Sequence, residues 1–72
     1  MRTKTLARYF TFLDQLRESG ATNMYGAGPY LEDAFNLSRE KATPILTKWM
    51  GSFDPTKTPT ERAALFTAGE RP

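Results

Sequence analysis

The sequence predicts an all-α fold: a small three-helix orthogonal bundle followed by an extended C-terminal tail. Three observations lead there. Apolar residues recur at three- and four-residue steps in three separate stretches. Glycine, asparagine and proline fall where those stretches end or begin. Hydrophobic residues at 39% and charged residues at 25% are ordinary globular proportions, enough to build a core. With 72 residues the chain makes one domain at most, near the lower size limit at which packing alone suffices. There is no cysteine and no histidine. Disulfides, thiol chemistry, Cys/His metal sites and the commonest general base are thereby excluded.

The first helix is predicted over residues 3–19, where Leu6, Tyr9, Phe10, Leu13 and Leu16 form an amphipathic stripe. Phe12 widens that stripe beyond what one neighbouring helix covers. Gly20 stops the helix, because glycine accepts the left-handed conformation of a C-terminus without Cβ strain. Residues 21–28 hold two glycines and no helical period, so they read as a connection with one turn near residues 23–25, Met24 and Tyr25 tucking into the core.

Pro29 suits the first position of a helix, where its missing N–H costs nothing, and Tyr30, Leu31, Ala34 and Phe35 give a second helix over residues 29–35 a short buried face. Asn36 takes the left-handed turn, Leu37 enters the core and Ser38 caps the next helix. That third helix, residues 39–51, carries Ala42, Ile45, Leu46, Trp49 and Met50, with Phe53 continuing the stripe. Pro44 removes one of its hydrogen bonds and bends it, or else Thr43 caps a later start; Ala42 on the same stripe favours the bend.

Residues 1–53 are therefore the predicted domain. Asp54 to Thr60 has two prolines and no apolar side chain, the composition of an extended linker. The tail, residues 54–72, has room for one short helix at 60–68, with Thr60 as cap, Gly69 as stop, and Leu65 and Phe66 exposed on it.

The net charge is +2, and its distribution says more than its size. Arg2, Lys4 and Arg8 stand at the start, Arg39, Lys41 and Lys48 in the third helix, and the acidic pair Glu32 and Asp33 between them. An anion-binding face would combine the first and third segments. Asp14, Glu18, Glu32, Asp33 and Glu40 read as solvated surface charge, and no positioned base, nucleophile pair or metal cluster points to an enzyme or a cofactor. Gly26-Ala27-Gly28 lacks the preceding strand and third glycine of a phosphate-binding loop, so it reads as a tight turn. No apolar run suits export or membrane spanning, which predicts a cytoplasmic protein.

The segment from Tyr30 to Trp49 resembles a helix-turn-helix, with Leu31, Phe35, Leu37 and Ile45 at the interlocking apolar positions and Asn36 where the motif usually has glycine. Glu32 replaces the usual small residue and Ala42 the usual branched aliphatic. The wider run from Leu16 to Leu31, closing with Trp49-Met50, resembles short uncharacterised helical proteins encoded by tailed bacteriophages. That resemblance implies a phage origin, a helix-turn-helix-like trihelical fold and residence in the host cytoplasm, and it brings no residue roles.

Two functions follow as expectations. One is a small regulatory protein binding DNA through Arg2, Lys4, Arg8, Arg39, Lys41 and Lys48, with homodimerisation as a common companion of that mode. The other is a non-enzymatic module binding a host or phage protein through Phe12, Tyr25, Tyr30, Leu65 and Phe66.

Overall fold

The computed structural model describes residues 2–67, which form four helices: α1 (Thr3–Ser19), α2 (Gly28–Phe35), α3 (Arg39–Ser52) and α4 (Pro59–Thr67). Among these residues there is no strand. The Cα extents are 34 × 29 × 16 Å, so the molecule is a slab thin enough for most helices to keep one face in solvent.

The boundaries follow local chemistry. Gly20 ends α1 with φ 75°, and Asn36 ends α2 with φ 54°, both in the left-handed region. The Ser38 hydroxyl accepts from the Lys41 N–H at 3.3 Å and caps α3, which continues through Pro44 without a new start at Thr43. Between α1 and α2 a 3-10 turn spans Met24–Gly26, pinned by the Asn23 side chain accepting from the Gly26 N–H at 2.8 Å. This turn corrects one expectation: Met24 packs half-buried against the core, whereas Tyr25 projects outward and is 85% exposed. A side chain at Gly26 would collide with the Thr22 hydroxyl, which gives that glycine a steric reason.

Leu6, Phe10, Leu13, Leu31, Ile45 and Trp49 are buried, and Phe35, Leu37 and Leu46 pack half-buried around them. Phe35 seats its ring edge-on between Tyr9, at 4.8 Å, and Phe12, at 5.4 Å, which fastens α2 to α1. Ala7, Ala27, Ala42 and Ala63 are also buried, so alanine fills the core where larger side chains would hold the helices apart.

The C-terminal part departs from expectation. The chain after Phe53 is a short loop, not an extended linker, and α4 packs chiefly along α1 with a smaller contact to α3. Three features account for it. The Asp54 carboxylate accepts from both the N–H and the hydroxyl of Thr56, at 2.9 and 2.6 Å, and the Lys57 N–H donates to the Asp54 carbonyl, closing a turn with Pro55 at its second position. Thr58, not Thr60, then caps α4: its hydroxyl accepts from the Glu61 N–H at 3.1 Å while the Glu61 carboxylate accepts from the Thr58 N–H at 2.8 Å. This is a capping box with proline at the first helical position. Finally, α4 buries Arg62, Ala63 and Thr67 and rests the part-exposed Phe66 ring edge-on against Phe10, leaving Leu65 on its outer side. Thr67 meets Thr3, and Arg62 meets Asp14, so α4 runs antiparallel to α1. The predicted stop at Gly69 lies outside the described residues.

Hydrogen bonds from Thr56 hold the Asp54 carboxyl below the usual carboxylate range, and those from Thr58 do the same for Glu61. A lowered folded-state pKa stabilises the fold above the unfolded pKa and is lost as pH falls through the folded value. Acidification below about pH 4 should therefore loosen the 54–61 cap first. Glu61→Gln should flatten this acid limb in thermal melts followed by circular dichroism from pH 7 to 2.5, and an unchanged limb would contradict the assignment.

Candidate interaction surfaces

The most deeply held charged group is one that the sequence reading passed over. Arg62 is 1% exposed, its guanidinium paired to both oxygens of Asp14 and its Nε donating to the Lys57 carbonyl at 3.4 Å. Asp14 Oδ1 also accepts from the Trp49 indole N–H at 2.8 Å. Asp14 is thus a structural acceptor, not solvated surface charge. Its place on the helix carried the signal, since Asp14 follows Phe10 by one turn and sits on the flank of the buried stripe. The pair is mutually neutralised, and all its strong hydrogen bonds run within the protein. Phe53 lies beside it, 5.3 Å from the Arg62 guanidinium carbon and 4.5 Å from that of Arg17.

The predicted cations Arg2, Lys4, Arg8, Arg39, Lys41 and Lys48 are all exposed, but the fold does not gather them into one patch. Lys4 and Arg8 project from α1 on the side away from Leu6, Phe10 and Leu13. There they line an open groove with Phe12, Phe35 of α2 and Thr60 of α4. Among the described residues that line it, none is acidic. Lys41 and Lys48 flank the outer face of α3, with Lys48 Nζ 6.0 Å from the Phe66 ring, and Phe66 in turn sits edge-on to Phe10 at 6.3 Å. The two sets of cations therefore stand on different sides of the core.

Among the described residues no other helix covers the outer face of α3: Arg39, Glu40, Lys41, Thr43, Pro44, Thr47, Lys48 and Gly51 are exposed along its length. Arg39 and Lys41 stand in its first turn, where free backbone N–H groups also favour anions. Glu40, beside them, opposes that preference.

Of the aromatic and apolar residues proposed to meet a protein, Tyr25, Tyr30, Leu65 and Phe66 are exposed, at 85%, 43%, 62% and 39%. Phe12 is not among them. It is half-buried, and its ring is engaged by Phe35. No helix among the described residues is long and apolar enough to cross a membrane. Comparison with known proteins finds no matching family model, no matching curated protein and no matching solved structure.

This partition makes a stability prediction. Phe12→Ala should cost roughly 1–2 kcal/mol, because a half-buried ring and an aromatic pair are lost, whereas Tyr25→Ala should stay within about 0.5 kcal/mol. Urea denaturation would show it. Equal losses would mean that Tyr25 packs in solution.

Proposed function

We propose that this protein is a small, non-enzymatic regulatory protein of the phage-encoded kind that binds DNA through α2 and α3 acting as a helix-turn-helix-like unit. The observation that carries this reading is the presentation of α3. An eight-residue helix, a turn through left-handed Asn36 and the Ser38 cap lead into a fourteen-residue helix whose outer face is exposed among the described residues. Leu31 and Ile45 lock the two helices from within, half-buried Leu37 fills the turn, and an exposed helix of this length fits a B-form major groove. Arg39, Lys41 and Lys48 supply phosphate contacts along its flanks.

Glu40, Thr43 and Thr47 are the uncharged or acidic polar side chains on that face; Glu40 can only accept from a base edge and repels phosphate, and both threonines are short. Thr47 also donates its hydroxyl to the Thr43 carbonyl at 2.9 Å. Affinity in this reading comes from phosphates more than from bases, which predicts modest sequence discrimination. Lys4 and Arg8 lie on another side of the core and belong to a separate surface.

A second reading, a module that binds a protein partner, is favoured by one specific observation: Tyr25 at 85% and Leu65 at 62% exposure are apolar surface that the fold leaves unused. Binding to duplex DNA as a function of salt separates the two. Wild-type protein should bind at about 50 mM salt with a steep salt dependence. The variant carrying Lys41→Glu and Lys48→Glu should lose affinity and reduce the slope by about one unit per contact, with its melting temperature unchanged. Lys4→Glu with Arg8→Glu should weaken binding less. Absence of binding by the wild type at low salt would defeat the DNA reading in favour of the protein partner.

A further inference from the structure

We infer that the outer side of α1, edged by Phe35 of α2, is a docking surface for an acidic, amphipathic segment of a partner protein. Lys4, Arg8 and Phe12 follow one another at four-residue steps, so the helical period puts them in one row on one side of α1. Lys4 and Arg8 are exposed, and Phe12 is half-buried with the half-buried Phe35 ring against it at 5.4 Å. All four line the same groove. A cationic stretch thus runs onto a small aromatic floor.

The placement of the charge points to a partner outside the chain. The first turn of α1 holds no acidic residue, and Lys4 stands in it, where free backbone N–H groups already carry positive partial charge. Arg8 adds the same sign one turn on. The nearby acids are engaged elsewhere: Asp14 pairs with Arg62, and the Glu61 carboxylate accepts from the Thr58 N–H. A carboxylate supplied from outside relieves both cations, and an apolar anchor beside it covers Phe12 and Phe35. Nucleic acid fits this surface less well. It calls for a longer track of cations and for open ring faces on which bases stack, whereas Phe35 meets Phe12 and Tyr9 edge-on. The outer face of α3 takes no part, so this inference stands or falls independently of DNA binding.

The experiment is selection by the full chain from a library of random peptides about twelve residues long, followed by titration of the enriched peptides by fluorescence anisotropy. Enriched peptides should carry Asp or Glu next to Phe, Trp, Leu or Ile, and their binding should weaken as salt rises. The variant with Lys4→Glu and Arg8→Glu should bind them about tenfold or more weakly. It should melt no lower than the wild type, because acids suit the start of a helix. Lys41→Glu with Lys48→Glu changes the net charge equally but on α3, and should leave peptide affinity within about twofold. Four results would each overturn the proposal: no enrichment, enriched peptides without acids, equal losses in the two variants, or displacement of the peptide by a single-stranded oligonucleotide. The last would assign this surface to nucleic acid.

Discussion

The carboxylate of Asp14 accepts hydrogen bonds from the Trp49 indole and the Arg62 guanidinium, joining α1, α3 and α4 at a single side chain. The constraint matters because α4 brings little apolar bulk of its own. Its fully buried residues are Ala63, Thr67 and Arg62, with the part-exposed Phe66 ring edge-on to Phe10, and this leaves a nine-residue helix in need of a further constraint on its register. The two-pronged guanidinium–carboxylate pair supplies what is missing, since its fork geometry tolerates neither a slide along α1 nor a rotation of α4. A buried ion pair of this kind is weak as net stabilisation and strong as specification. Forming it costs desolvation, yet leaving either partner alone in the interior costs more.

From that anchor the rest of the slab follows. With α4 held against one flank of α1 and α2 clamped to the other by Phe35 between Tyr9 and Phe12, α1 becomes the central helix, and its Lys4–Arg8 side remains in solvent. Trp49, fully buried and bonded to Asp14, fixes the rotation of α3. That rotation decides what α3 shows: Arg39, Lys41, Thr43, Thr47 and Lys48 face outward because Ala42, Ile45 and Trp49 face in. The separation of the cations of α1 from those of α3 is thus a consequence of core packing.

Much of this was legible residue by residue. The α1 stripe, the glycine stop at Gly20, the left-handed Asn36 and the Ser38 cap are local signals, and they appear where the chain places them. The α4 start was legible too, in Thr58-Pro59-Thr60-Glu61, whose capping-box spacing outweighs the linker-like composition around it. Tyr25 was harder. An aromatic residue between two half-buried neighbours reads as core, but the 3-10 turn set by Asn23 points it away.

By itself the sequence determined the helical class, the positions of the first three helices and most of the core, because helical period and capping act over a few residues and need no distant partner. Only the tertiary structure decided that residues 54–67 belong to the fold, that Asp14 is a half-buried acceptor for Arg62 and Trp49, and that the cations divide between two faces. Each of these depends on a contact between positions far apart in the chain. Asp14 meets Arg62 across 48 residues and Trp49 across 35, and composition within a window carries no trace of a partner outside it.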